Sequence, residues 1–548
     1  MNTKKWASAA IAVVCSLGAF AGSNERGIDL FRAQLYDAAK IFFLEQTSQS
    51  PVEQAENAYY LGQTYYDLQH PDLAAEQYAK AVSVAPEYPF GYVGQGRLAL
   101  AKGDVKGAEA LFKTAAGYAK KDASVQTAIA EAYIAAKMYP QADAALEKAR
   151  KINKKYSGIY QAEGDKLMQE GKKDQAYSSY EQAKYFNPND KVSYLKLAKA
   201  YEYTNPGVAL DYLNELLAID KEYIPAYALI GDINREKGQY GKALEAYEKF
   251  MSIPGVPVLQ HERYAQLLYF TDQYDKSLAK IDYVLTIDPK NPVMHRIMAY
   301  NNYKLENNDL AVQQMAQFLK DNPEDKHIYL DYITYGRALV KNKQPQEAVD
   351  ALLKAEKLDP SNAEVHKELA GAYESAANHP ASIEQHEKYI QTKESPEALD
   401  YLYYGQTAYS AASKYLDVNY QSDVDFQTYI DKGNQAFSKI IELRPQSYLG
   451  YLWQANINSV VDLRDQLTTG EMKGVAKPYF EKSLEVLLAN NDEGKRNNEI
   501  IAAYDYLASY YYFVAKDQAT AVDYYKKMLE IDPAHAKALS VLKQLNIK

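Results

Sequence analysis

The histidines are the first residues of this 548-residue chain to test for chemistry. His366, His379 and His386 lie close in sequence, and three imidazoles hold zinc where they converge. His366 and His386 fall where two paired helices would face each other, so the expected role is that of packed polar residues standing in for aromatic anchors. The stretch HERYA (261–265) begins like a two-histidine zinc helix, but Ala265 stands where the second histidine is required. The glycines of GYVGQGRLALAKG (91–103) run through a helical pattern, not from a strand into a helix, and build no phosphate cradle. Asp462 and Asp465 sit on a solvated helical face, and no nucleophile elbow or kinase set is present. The sequence therefore assigns no catalytic residue, no cofactor site and no metal site, and the chain reads as a non-enzyme.

Tyrosine is the unusual residue. The chain holds 52 tyrosines and only 2 tryptophans. NAYYLGQTYYDLQ (57–69) places Tyr59, Tyr60, Tyr65 and Tyr66 around Gly62, either as a platform for a ligand or as packing between helices.

The elements that must position these residues follow from bulk properties and from periodicity. Hydrophobic residues make up 47% and charged residues 24%, the balance of a folded chain. At this length one ordinary core is not expected, so several domains or a repeat are required. A net charge of −10, with no dense basic run after the first residues, argues against nucleic acid and anionic lipid as partners. The start, MNTKKWASAAIAVVCSLGAFAGS, has the charged, apolar and small-residue order of a secretory signal, with cleavage expected after Ala21. The one cysteine, Cys15, lies inside it behind Val14, a poor setting for lipidation. No later stretch is apolar enough to span a membrane.

Prolines supply a ruler. Pro86 and Pro188 are 102 residues apart, three times 34, and Pro289 and Pro323 are 34 apart. Pro51, Pro360, Pro445 and Pro533 extend the series, each expected to end an apolar helical stretch. With that period imposed, small residues recur twice in each of fourteen units. The first series runs from Gly27, Gly62, Gly96 and Ala130 to Gly405, Ala455 and Ser509. The second runs from Ala39, Ala74 and Ala108 to Gly433, Ala476 and Ala521. In most units they lie about twelve residues apart, one per helix, where two antiparallel helices can approach closely. Apolar spacing is helical throughout, with no sustained alternation.

This pattern resembles the tetratricopeptide family, whose helix–turn–helix unit has the same period and the same markers. The resemblance implies an all-α, right-handed superhelical solenoid of antiparallel helix pairs, with a concave groove lined mainly by the first helices. The expected organisation is a signal peptide (1–21), a regular solenoid of about eleven repeats (22–396), a solenoid with insertions (397–533) and a capping helix (534–548). The insertions fall at 414–430, 462–474 and 490–499. Pro254, Gly255 and Pro257 make a stiff joint in 249–260.

In that architecture, residues three before, one after and four after the first small residue line the groove. Tyr59 and Tyr66 are then groove-facing, while Tyr65 belongs to the core. Arg296, Tyr300 and Tyr303 in unit nine, Arg337 in unit ten, and Tyr506, Tyr510 and Phe513 in unit fourteen are the other candidate partner-binding residues. The Lys–Asn clamp by which chaperone-binding members hold a C-terminal carboxylate is not matched, since Gly371 follows Lys367 and Asn456 has no lysine partner. The reading is a non-enzymatic scaffold of the bacterial envelope, periplasmic, that holds a peptide or protein partner in its groove. The alternative is a carbohydrate-binding or nutrient-uptake accessory whose inner tyrosines stack on sugars.

Overall fold

The computed structural model describes residues 24–47, 50–417, 423–489 and 494–545. The expected signal peptide (1–21), with Cys15, lies outside them, as do parts of the insertions at 414–430 and 490–499. Among the described residues the chain is helical, with no strand. It divides into two compact units between Met294 and His295, a place marked by no feature of the sequence.

In the first unit α1 (Glu25–Arg32) pairs with α2 (Tyr36–Glu45), α3 (Pro51–Asp67) with α4 (Pro71–Val84), α5 (Pro89–Ala101) with α6 (Val105–Tyr118), and α7 (Ala123–Ala135) with α8 (Tyr139–Ile152). The pattern continues with α9 (Ser157–Gln169) and α10 (Lys173–Phe186), α11 (Lys191–Tyr201) and α12 (Pro206–Ile219), α13 (Ile224–Glu236) and α14 (Tyr240–Phe250), and α15 (Val258–Phe270) and α16 (Tyr274–Ile287). Helix α17 (Pro292–Lys304) straddles the division. The second unit holds α18 (Asn308–Asp321), α19 (Tyr329–Lys341) with α20 (Pro345–Leu358), α21 (Ala363–Ser375) with α22 (His379–Thr392), α23 (Ala398–Ser413) with α24 (Asp423–Leu443), α25 (Tyr448–Thr469) with α26 (Lys477–Ala489), α27 (Asn497–Phe513) with α28 (Gln518–Ile531), and α29 (Ala536–Gln544).

The proline ruler holds with one correction. Pro86, Pro188, Pro289, Pro323, Pro360, Pro445 and Pro533 each stand two residues beyond a helix end, where the helix can no longer continue. Pro51 instead opens α3, because the first turn of a helix does not need its N–H.

The small residues do two jobs. Across each pair they bring backbones together: the Ser277 hydroxyl donates to the Ala265 carbonyl and Ser382 to that of Ala370, both at 2.8 Å. The glycines among them also make room for a large side chain on the following helix. A Cβ on Gly62 would lie 2.6 Å from Tyr78, one on Gly96 2.3 Å from Phe112, and one on Gly231 2.3 Å from Tyr247. The contact is thus small against small on one flank and small against ring on the other.

Turns inside the pairs repeat as well. Gln34, Gln69, Gly103, Lys137, Gly171, Gly238, Asp272, Glu306, Lys343, Ala377 and Lys516 all adopt positive φ, each seven residues after its first-series small residue. The residue after each closes the helix end; His70 N, for instance, donates to the Tyr65 carbonyl at 2.8 Å.

Described parts of the insertions at 414–430 and 462–474 are helical. Helices α24 and α25 run for 21 and 22 residues. Gly470, at φ 80°, ends α25, and Asp462 in its middle accepts the backbone N–H groups of Gly474, Val475 and Ala476 at 2.6–2.9 Å. Helix α29 buries Ala538 and Leu542 on α28 and leaves Leu539 in solvent, as a cap should.

Candidate interaction groove

In the first unit, positions that the repeat rule assigns to a groove already have partners within the chain. Helix α1 lies across residues from far along the chain. Its Arg32 donates to Glu131 of α7 at 3.1 Å, and Lys199 of α11 donates to the Ala33 carbonyl at 3.2 Å. Glu131 and Lys199 each follow a first-series alanine, so both stand at groove-lining positions. Lys191, at the start of α11, donates to Glu25 at 3.0 Å, to Asp29 at 2.6 Å and to Asp220 at 3.2 Å.

Apolar contacts follow the same path. Leu30, Ala38, Ala39 and Phe43 share one core with Ile224, Leu244, Tyr247 and Phe250, residues of α13 and α14. The joint between α14 and α15 docks there too. Ile253 and Val256 are buried in that core, and Gly255, at φ 73°, sits so close to α2 that a Cβ would come within 2.8 Å of the Ala38 nitrogen. The expected stiff joint is a latch onto the first helix pair.

The charges at this contact are perturbed. Burial pushes Asp29 up to about 6 despite its bond to Lys191. Burial lowers Lys199. Three carboxylates around Lys191 outweigh its own desolvation and hold it charged.

The opening tyrosines divide differently from expectation. Tyr59 is the buried one, at 4% exposure, packed against Tyr60, Tyr78, Tyr88 and Phe90 with its hydroxyl accepting from Gln63 Nε2 at 2.7 Å. Tyr65 is half-buried beside His70 and packs against the core, as expected. Tyr66 is half-buried under the Arg97 guanidinium, 4.3 Å above its ring, and Arg97 is tied to Asp67 at 2.8 Å. The cluster is mainly structural because the Tyr78 ring fills the space that Gly62 and Gly94 leave open, and Tyr59 packs against that ring.

In the second unit most candidate residues are held by neighbours. Asp331, fully buried, receives Arg296 at 2.8 and 3.1 Å, the Tyr300 hydroxyl at 2.6 Å and the Ile328 N–H at 2.9 Å. Arg296 also covers the Phe318 ring, 4.9 Å away, and Tyr300 is buried. Tyr303 is half-buried near Arg337, which pairs with Glu364 and Glu368. Tyr506 gives its hydroxyl to Asp462 and stacks on Phe480 with centroids 4.3 Å apart. Tyr510 covers Gly474, with the Lys477 ammonium 5.5 Å from its ring. Phe513 is 54% exposed and is the one candidate whose ring is mostly in solvent.

The histidines do not converge. His366 bonds Gln385 at 2.8 Å and the Pro360 carbonyl at 3.0 Å, His379 bonds Glu374 at 2.9 Å, and His386 meets the Thr407 hydroxyl at 3.3 Å. Among the described residues no group of histidines, cysteines and carboxylates is spaced to hold a metal ion. Two open clefts lie off the groove, one of about 500 Å³ beside Lys237, Lys242 and Glu245, the other of about 460 Å³ beside Lys113, Gln141 and Lys148.

Sequence reasoning missed Arg32, Lys191 and Asp331, and it put Asp462 on a solvated face where the structure buries it, because the chain after α25 folds back and gives it three backbone N–H groups. It had a signal for two others: the groove rule names Glu131 and Lys199, and charges there call for a partner.

Tetratricopeptide-repeat family models match residues 59–125, 99–165, 224–254 and 333–398, each falling on the helix pairs just described. These stretches of the chain carry tetratricopeptide repeats. Repeats of this family build protein–protein interaction scaffolds in general. Among solved structures, the C-terminal part of a repeat protein from Cytophaga hutchinsonii is 25% identical, with a TM-score of 0.41 over 51% of this chain and 98% of that one. Pseudomonas aeruginosa PilF is 16% identical (TM-score 0.33; 39% of this chain, 98% of that), and yeast Tom70 is 16% identical (TM-score 0.28; 75% and 98%). No curated protein matches. Among the described residues, no helix of this repeat protein is long and apolar enough to cross a membrane.

Proposed function

We propose that this tetratricopeptide-repeat protein is a non-enzymatic scaffold of the bacterial cell envelope, exported to the periplasm, that holds a partner protein or peptide on its inner helical faces. The observation that supports the binding mode is the seating of α1 in the first unit. Inner-face side chains at repeat positions already grip a helix through charge-assisted bonds, which are about twice as strong as neutral ones. In the second unit Tyr303, Arg337, Tyr510 and Phe513 offer aromatic and guanidinium surface of the kind that anchors interfaces. The sugar-stacking alternative has less support, because Tyr59 and Tyr300 present no open ring face.

The test is site-specific photocrosslinking in native envelopes from Tyr303 and Phe513, with mass determination of the mature N-terminus. A discrete protein adduct and loss of residues 1–21 are expected. Self-adducts alone at both positions, or a chain that keeps its first residues in the cytosol, would refute the proposal.

A further inference from the structure

Helix α1 makes two kinds of contact. As the first half of a repeat it packs on α2, with Gly27 against the rings of Phe42 and Phe43. As an occupant of the groove it meets α7, α11 and α13, whose contacting residues lie about a hundred to two hundred positions away. In a solenoid each repeat contacts only its neighbours, so this second set is an addition to the repeat rule.

Those added contacts form a pattern along one short segment, ERGIDLFR (25–32). Glu25 and Asp29, one turn apart, converge on Lys191. Leu30 enters the shared core. Arg32 reaches Glu131. A helix that recurs at i and i+4 with carboxylates, then Leu and Arg, reads the groove as a ligand would. The receiving residues Glu131, Lys191 and Lys199 belong to α7 and α11, not to the first repeat.

We infer that α1 is a built-in ligand of the first unit's groove, and that the groove accepts from a partner protein an amphipathic helix of the same pattern, two carboxylates one turn apart followed by Leu and Arg, which displaces α1. This rests on the scaffold reading and names both the class of partner and its regulation. The chain's own segment is always present at high local concentration, so it sets a threshold that a partner helix must exceed. Of the contacts that seat it, the Arg32–Glu131 pair is partly solvated, each side chain 32% exposed, and is the one a competing helix can reach first, whereas Leu30 is held in the shared core.

The experiment uses the full chain. Asp29→Lys with Arg32→Glu reverses the ligand's charges and leaves Glu131, Lys191 and Lys199 intact. Hydrogen exchange at α1 amides is expected to rise about tenfold or more, while α9 and α10 keep wild-type rates. A fluorescent peptide of residues 24–46 is expected to bind this variant, and to bind the wild-type chain at least about tenfold more weakly. A peptide carrying the two reversals should bind neither. Asp29→Asn, a milder change, should give an intermediate exchange rate. Unchanged exchange at α1, global unfolding of the reversed variant, or failure of the wild-type peptide to bind the opened chain would each overturn the inference. The scaffold reading fails separately, through crosslinks placed at Tyr303 and Phe513 in the second unit.

Discussion

Arg32 and Glu131 stand 99 residues apart and share a 3.1 Å ion pair. Lys191 and Asp29, 162 residues apart, are bonded at 2.6 Å. Both pairs join the first repeat to later ones that simple stacking would leave out of reach. Because Arg32 and Glu131 are about one-third exposed, solvent screening discounts their pair to about 1 kcal/mol or less. Glu131→Arg should weaken the first unit by that order, and adding Arg32→Glu should restore part of it. A urea-denaturation double-mutant cycle with no coupling would show the pair to be incidental.

Asp331 is the hub of the second unit's inner face. Asp331→Ala removes the acceptor for Arg296, Tyr300 and the Ile328 N–H, and leaves a partly buried guanidinium without its counter-ion. Breaking such a buried pair costs about 3–5 kcal/mol. Local hydrogen exchange in α17 and α19 should report it. A loss under about 1 kcal/mol would mean that Arg296 is satisfied elsewhere.

Two substitutions of glycine type should act in opposite directions. Gly96→Ala drives a methyl to within 2.3 Å of Phe112 and should destabilise by about 1–3 kcal/mol through overpacking. Lys137→Gly relieves a side chain held at φ 57° and should stabilise by about 1 kcal/mol. Thermal melts of the two proteins should move apart; a shift of both in one direction contradicts the close-contact account of the first series.

The pH response of the second unit follows from His386. Burial brings it down to about 4 from the ordinary 6.5. The unfolded chain therefore takes up a proton below pH 6.5 that the folded one refuses until about 4. Stability is complete above 6.5 and falls as pH drops through that window, by up to on the order of 3 kcal/mol. His386→Gln should flatten the decline. In the first unit His261, also lowered to about 4, acts in the same sense, while Asp29, raised to about 6, works against it by protonating in the folded state first. Denaturation between pH 7 and 4.5 with and without His386→Gln tests this, and equal slopes would exclude His386 as the cause.

Asp462 holds the loop after α25 through three N–H groups and the Tyr506 hydroxyl. Asp462→Ala should free residues 470–476 and make limited proteolysis there several-fold faster, with α1–α16 unaffected. Unchanged cleavage would show that the Tyr510 ring on Gly474 suffices to hold the loop.

Periodicity by itself determined the helix pairs, their number and most of their joints. The small-residue series works from sequence because Gly62, Gly96 and Gly231 each answer to a ring in their own repeat, a contact local enough for spacing to encode. The proline ruler and the groove-facing positions of Glu131 and Lys199 are local in the same sense. Tertiary structure alone decided which of these faces is free. Tyr59 and Tyr300 obey the groove spacing yet are buried, the Tyr59 hydroxyl accepting from Gln63 one turn on in the same helix and the Tyr300 hydroxyl donating to Asp331 of α19. The return of α1 onto α7, α11 and α13 depends on how far each repeat rotates against the next. That small angle, accumulated over several units, is set by packing between repeats and leaves no mark at any single residue.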